Sequence, residues 1–321
     1  MDKTEFYKDA IPGSKGPLED LRVLEATIVG AGSFGGTLLS DLGVEAIRCE
    51  MPETGDTTRS WPPYLGEPGD VNASIWFHAI NRGKKSITLD FHKPEGQALF
   101  KELAQHADII IENFTPGTMA KWGIGYHDIK KVKPDIIYVS VSGFGQFGPL
   151  HKKKGLDQVA QAVGGIMSAT GEKGGEPLRC GYALGDNLSG WMGAMGALAA
   201  LTYRDKTGRG QWIDSGMCDA ILYTSAINVL GTANTDFKVE RMGNGIDGGP
   251  FNTYLSKDGV YLYIHAVFDA HWVRLCEVMG CPELATDERT KTWPDRAKVN
   301  TESMMALGYA GGPGDHVEIQ P

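Results

Sequence analysis

Short apolar runs alternate along this chain with segments of helical spacing. LRVLEATIV, VEAIRCE, KKSITLD, DIIIEN and DIIYVSVSGF are rich in Val and Ile and predict strands. Between them, TLLSDLG, PEGQALFKELAQHA and YHDIKKVKP predict helices. Strands separated by helices imply a parallel sheet covered on both faces. The proline-rich stretch MPETGDTTRSWPPYLGEPGD is too long for a simple connection and reads as a functional loop.

From Leu156 to Lys206 the pattern is mainly helical. It includes GWMGAMGALAALTYR, whose small residues permit close helix contact, and Gly208 and Gly210 end it before the short strand QWIDSG. Beyond about Ile227 the character changes. A glycine-rich segment, RMGNGIDGGP, precedes an aromatic hairpin, FNTYLS and VYLYIHAV around an Asp-Gly turn. The expected architecture is α/β, with a large Rossmann-like domain over 1–226 and a smaller α+β domain over 227–321. The last stretch, ALGYAGGPGDHVEIQP, has no periodicity.

Composition narrows the partners. With 321 residues and 41% hydrophobic content the chain can bury a full-sized core. A formal charge of -9 and the absence of long basic runs argue against nucleic acid or an anionic membrane, so an anionic ligand needs a local basic pocket. Five cysteines lack CxxC spacing and cannot all pair internally, which makes a reduced, cytoplasmic setting the default. MDKTEFYKDA has no secretory apolar core, and the most apolar helical stretch, LSGWMGAMGALAAL, is too short to span a bilayer. None of the eight histidines has metal-ligand spacing such as HExxH, so no metal is expected.

Two chemistries compete. Gly30, Gly32 and Gly35 form a GxGxxG sequence after a predicted strand, with Glu50 at the end of the next one. That satisfies the local requirements of a dinucleotide fingerprint and supports an NAD-dependent oxidoreductase, or simply a tight strand-to-helix turn. The rest of the chain offers no Ser-Tyr-Lys spacing and no evident His/Asp pair for hydride transfer. Asp186, in GYALGDNLSG, lies at a predicted helix start, where free N–H groups and the helix dipole favour an anion. An Asp there also serves as an N-cap contributing about 1 kcal/mol.

A series of motifs in order resembles the class III CoA-transferases, the family of formyl-CoA transferase and carnitine CoA-transferase. They are GPLEDLRVLE, LGVEAIRCE with GDTTRSW, NRGKKSITLDFHKPEG, IIENFTPGTMAKWGIGY, VSGFGQFGP, DQVAQAVGGIMSATG, GDNLSG and ALTYRDKTGRGQWIDSGMCDA. The resemblance covers roughly residues 16 to 304 and implies CoA transfer from an acyl-CoA donor to a carboxylic acid acceptor, with Asp186 as nucleophile. It also implies CoA contacts at Gly30, Ala31, Leu89, His92, Asn113, Phe114, Lys121, Lys154 and Asp157. A mobile lid is implied over Gly243 to Gly249, including Gly245 and Gly248. Relatives carry a basic residue where this chain has Met51 and a tyrosine where it has Leu156; Arg48 or Arg59 is the candidate substitute. Trp61, Tyr64, Trp76 and Phe77 are candidates for an acyl pocket.

The family architecture is two interlocked, ring-like subunits, so a homodimer or a heteromer with a related subunit is expected. Relatives continue past residue 321 and return to the large domain, so a chain ending there is expected to lack that return. A non-catalytic CoA-binding partner subunit is the remaining alternative.

Overall fold

The computed structural model describes residues 2–9, 12–245, 251–256 and 258–296. The chain divides into two compact units: residues up to Met167 with Arg179–Lys238, and Ser168–Leu178 with the chain from Val239 onward.

In the first unit β1 (Arg22–Ala26), β2 (Glu45–Glu50), β3 (Lys85–Thr88), β4 (Ile109–Glu112), β5 (Ile137–Ser142) and β6 (Trp212–Gly216) form a sheet in the order β3-β2-β1-β4-β5-β6. Every neighbouring pair is parallel. This is the order of a doubly wound nucleotide-binding sheet, with its reversal between β1 and β4. The helices are α1 (Lys3–Phe6), α2 (Ala31–Asp41), α3 (Ile75–Asn81), α4 (Pro94–Gln105), α5 (Thr118–Lys121), α6 (Tyr126–Val132), α7 (Asp157–Val163), α8 (Ile166–Ala169), α9 (Leu184–Thr207), α10 (Met217–Thr224) and α11 (Ala226–Asn234). Residues 57–60 of the long loop form one 3-10 turn.

The strands are apolar on both faces because helices cover both. Val23 joins Leu39, Ala194, Ala197 and Leu201 on the α2 and α9 side, while Leu24 joins Phe100, Ala104 and Ile129 on the α4 and α6 side. Helix α4 starts on Pro94, which tolerates a first-turn position lacking an N–H. Helix α2 begins at Ala31, six residues before the TLLSDLG pattern, because AGSFGG has too little apolar bulk to register as periodic. The first predicted strand stops at Ala26, and the remainder of its pattern forms the turn into α2.

Helix α9 packs on α2 through glycine. A Cβ at Gly35 would stand 2.7 Å from the Gly190 carbonyl oxygen, and one at Gly190 would overlap the Ala31 carbonyl oxygen and lie 2.9 Å from Phe34 Cβ. The small-residue run of α9 is therefore a contact surface for the start of α2.

In the second unit β7 (Phe251–Leu255) and β8 (Tyr261–His265) pair antiparallel, from Phe251 opposite His265 to Leu255 opposite Tyr261. The Asp-Gly turn is closed by the Ser256 N–H on the Val260 carbonyl at 2.8 Å, with Gly259 at φ +82. Helix α12 (Asp269–Val278) buries Trp272 and Cys276 against Leu284, and α13 (Trp293–Arg296) ends on the buried Arg296, which donates to Asp269 at 2.7 Å. Gly243 donates to the Gly171 carbonyl at 2.8 Å, and Arg241 donates to the Gly175 carbonyl at 3.0 Å, which ties Ser168–Leu178 to this unit. Of the predicted lid glycines, Gly243 and Gly245 lie in a turn; Gly248 and Gly249 fall outside the described residues.

Gly190→Ala forces α2 and α9 apart and is expected to destabilise the protein by roughly 1–3 kcal/mol. Gly181→Ala, where a Cβ meets nothing within 4 Å, is the control and is expected to change stability by less than about 0.5 kcal/mol. Equilibrium urea denaturation of both variants measures the difference.

Candidate active site

The sheet reverses its winding between β1 and β4, whose ends Ala26 and Glu112 are paired in register. Open parallel sheets bind their ligands in the crevice beyond the carboxyl ends of such strands. The turn Thr27–Gly30 leaves β1 here, and Asn113 and Phe114 leave β4. Asn113 grips the turn with both ends of its amide: Oδ1 accepts the Ile28 N–H at 2.8 Å and Nδ2 donates to the Ile28 carbonyl at 2.8 Å. The next residue, Val29, has φ +58 and donates its N–H to Asp56 Oδ2 at 2.9 Å. Gly30 then leads into α2.

Asp186 faces this turn from α9. It is the third residue of the helix, and the N-cap position belongs to Ala183, which makes no side-chain cap bond. The capping role expected of Asp186 is filled from another helix. Asp157 of α7 accepts the Gly185 N–H at 2.7 Å and the Asp186 N–H at 3.4 Å, and its second oxygen accepts from Gln161 Nε2 at 2.8 Å. The Asp186 carboxylate makes no hydrogen bond to any described residue. It lies against the Cα of Gly30, where a Cβ would overlap its Oδ2. Burial, and then the negative Asp157, push its pKa up to about 7.

This geometry accounts for the GxGxxG sequence without a dinucleotide. Gly30 admits Asp186, Gly32 makes room for Thr27, whose Cγ2 would stand 2.6 Å from a Cβ there, and Gly35 admits α9. Glu50 is fully engaged as well. It accepts from Arg59 Nε and Nη2, both at 2.8 Å, from Ser86 Oγ at 2.6 Å and from the Asp56 N–H at 2.9 Å. Burial alone would raise the pKa of Glu50, but these bonds, led by Arg59, hold it at about 2. The oxidoreductase reading thus loses its ribose ligand and meets a carboxylate beside the turn that would hold the pyrophosphate.

The other predicted CoA contacts separate into three groups. Leu89, His92 and Phe114 gather near Trp122, with ring centroids 5.1 Å from Phe114 to Trp122 and 5.2 Å from His92 to Trp122, and Leu89 buried in the same apolar cluster as Phe91. Trp122 follows Lys121 directly in IIENFTPGTMAKWGIGY, and nothing local in the sequence marks it as facing Phe114. Lys121 and Lys154 are exposed, while Ala31 and Asp157 are buried. Below them Glu112 is pushed up to about 7 by burial, although a hydrogen bond with Ser140 and the Phe114 N–H pull it back.

Neither suggested substitute for the cation missing at Met51 reaches the crevice free. Arg48 is 1% exposed and pairs with Glu25 and Asp56; Arg59 is bound to Glu50 and stacks 3.6 Å over Phe77. Both line a 280 Å³ cavity near the amino end of β3 together with Arg82, Lys84 and Lys85. Each of those cations also has a carboxylate partner: Asp41, Glu25 and Glu45. Trp61 of the long loop and Trp76 of α3 meet edge to face at 5.9 Å and stay partly exposed, and the Tyr64 hydroxyl donates to the Ser60 carbonyl at 2.5 Å. Among the described residues no helix is long and apolar enough to cross a membrane, and no group of three metal-ligating side chains occurs.

The doubly wound sheet, with a half-buried carboxylate at its switch point that bonds to no described residue, defines an α/β protein with a candidate site in that crevice. The chain belongs to CoA-transferase family III, whose model matches residues 18–309. It is 40% identical over 287 residues, 89% of this chain and 70% of the relative, to the succinyl-CoA–D-citramalate CoA-transferase of Chloroflexus aurantiacus. It is 37% identical to the succinate–glutarate CoA-transferase of Agrobacterium fabrum, over 88% of this chain and 71% of the relative. A crystal structure of a CaiB/BaiF family protein from Brucella suis superposes with a TM-score of 0.80 at 38% identity, covering 91% of this chain and 77% of that one.

Two outcomes test this geometry. Because the folded pKa of Asp186 lies above its unfolded value near 4, ionising it costs stability, and that cost appears as pH rises from about 4 through about 7. Asp186→Asn is therefore expected to be more stable than the parent at pH 8, on the order of 2 kcal/mol, and to lose most of that advantage at pH 4.5. Urea denaturation at the two pH values checks the sign. Gly30→Ala, whose Cβ would overlap Asp186 Oδ2, is expected to destabilise the protein by roughly 1–3 kcal/mol, measured by the same denaturation.

Proposed function

We propose that the protein transfers CoA from an acyl-CoA donor, succinyl-CoA foremost, to a small dicarboxylic acid, with Asp186 as nucleophile. The observation that carries this reading is the Asp186 carboxylate: free of hydrogen bonds to described residues, partly buried, and set against a bare glycine at the switch point of the sheet. A carboxylate held that way is a poor structural element and a usable nucleophile. The dicarboxylate class is supported by relatives named for succinate, citramalate and glutarate.

In the proposed cycle a carboxylate oxygen of Asp186 attacks the thioester carbonyl. The C–S bond breaks, leaving an aspartyl–acyl anhydride and CoA thiolate. The thiolate attacks the aspartyl carbonyl, releases the donor acid as its carboxylate and forms an aspartyl-CoA thioester. The acceptor carboxylate then displaces the thiolate from that thioester, and the thiolate attacks the acceptor carbonyl of the new anhydride. Acceptor acyl-CoA leaves and the Asp186 carboxylate is restored, with no net proton change. Phe114 and Trp122 offer an aromatic surface for adenine, and Lys121 and Lys154 offer point charges for the phosphates.

The active form proposed is a dimer of this chain. Helices α9, α10 and α11 support it by leaving Trp191, Met195, Tyr223, Ile227 and Leu230 exposed. A heteromer is the second form, since the chain is 36% identical to the β subunit of a succinyl-CoA–L-malate CoA-transferase of Chloroflexus aurantiacus.

Incubation with succinyl-CoA followed by hydroxylamine is expected to leave a hydroxamate on Asp186, located by peptide mass analysis. Asp186→Ala is expected to fold, bind CoA and lose at least about a thousandfold of transfer to glutarate, citramalate or mesaconate. Wild-type protein that binds CoA yet stays unmodified, purified alone, would instead identify a partner subunit.

A further inference from the structure

Three consecutive residues of the turn beneath Asp186 are each held by a side chain from elsewhere in the chain. Arg48 of β2 donates to the Thr27 carbonyl at 3.1 Å and to Thr27 Oγ1 at 2.8 Å. Asn113 holds both polar groups of Ile28, and Asp56, from the loop after β2, holds the Val29 N–H. Val29 is β-branched and sits at φ +58, a conformation such side chains avoid; of the other described non-glycine residues only Glu53 has positive φ. Nothing local favours it, so tertiary contacts must impose it. The Asp56 side chain is as buried as that of Arg48, its ion-pair partner, at 1% exposed each. Asp56 Oδ1 is occupied by the Thr58 N–H at 2.8 Å and the Thr58 hydroxyl, which directs Oδ2 to Val29 and Arg48.

We propose that Asp56, fixed by Arg48, is a positioning residue for the nucleophile: it holds Val29 in the left-handed conformation that brings the bare Cα of Gly30 against Asp186. The proposal rests on the assignment of Asp186 as nucleophile. Backbone strain at reactive sites persists only where surrounding groups over-determine it, and here the grips of Arg48, Asn113 and Asp56 do so together. If Asp56 lets go, Val29 relaxes toward negative φ, Gly30 moves, and the carboxylate loses its seat. A displacement of that size is large enough to cost about a hundredfold in rate.

The test separates grip from general stability. Asp56→Asn keeps the size and an acceptor for Thr58 but sets an amide N–H, which cannot accept, against the Val29 N–H and the Arg48 guanidinium. It is expected to lower kcat about 10–100-fold, with KM for succinyl-CoA changed less than about threefold. Adding Val29→Gly, for which positive φ carries no steric cost, is expected to return at least about fivefold of the lost kcat. Val29→Gly alone sets the kcat against which that rescue is read. If Asp56→Asn does not fold, Asp56→Glu, which displaces the Val29 peptide while keeping the charge, enters the same cycle with the same expected rescue. Wild-type kcat in the single variant, or a loss that Val29→Gly leaves unchanged, overturns the proposal. Hydroxylamine trapping of the parent is run first. An unlabelled Asp186 there removes this proposal and the nucleophile together, whereas a labelled parent with an unimpaired Asp56 variant removes this proposal alone.

Discussion

The approach of the Asp186 carboxylate to the Cα of Gly30 is the constraint on which the first unit turns. Two surfaces must meet there with no side chain between them: the turn leaving β1 and the first turn of α9. The turn is fixed from the sheet side, through Arg48, Asn113 and Asp56. Helix α9 is fixed from the helix side, through the glycine contact of Gly35 with Gly190. The second fixing uses close backbone approach rather than large apolar side chains, so small residues concentrate along α2 and the first half of α9. Apolar burial enters one layer below, in the two clusters that flank the sheet.

A price in buried charge accompanies this arrangement. Glu25, Arg48, Glu50 and Asp56 all lie in or beside central strands that would otherwise be apolar. Replacing such ion pairs with well-packed hydrophobic residues is often neutral or stabilising, so their presence calls for a role beyond stability. Arg48 supplies one, since its guanidinium reaches Glu25, Asp56, Ser33, Asn81 and Thr27 at once and ties the β2 strand to the turn after β1. A hydrophobic residue there would fill the space and leave the turn unheld.

Much of the sheet was legible because parallel strands buried on both faces read as continuous Val and Ile runs, as in Ile109–Ile111 and Ile137–Val141. The candidate site was legible only through the resemblance, which pointed to Asp186 in GDNLSG and to Asn113 and Phe114 after β4. Three features were not. The start of α2 is written in glycines, which have no hydrophobic period. The cap of α9 comes from Asp157, twenty-nine positions before Asp186, and local rules search only the adjacent residues. The conformation of Val29 contradicts its own propensity and follows only from groups distant in sequence. The same locality explains why the dinucleotide fingerprint misled: its glycines meet the steric requirement of a close approach, and sequence does not reveal that the approaching group is a carboxylate of this chain.

The division of labour between Asp157 and Asp186 follows from what each carboxylate faces. A first-turn aspartate ordinarily turns its side chain onto the free N–H groups of its own helix and is thereby stabilised as an anion. Here Asp157 takes those N–H groups, so Asp186 is left with burial and a like charge, and its carboxylate is pushed up to about 7. That is a loss for the folded state and, in the nucleophilic role proposed for Asp186, a gain in reactivity, because an anion short of hydrogen bonds is a better nucleophile than one satisfied by its helix. An Asp157 replaced by a residue unable to accept would free the Gly185 and Asp186 N–H groups to compete for Asp186 itself. The helix would then have its ordinary cap, and the crevice would lose its unpaired carboxylate.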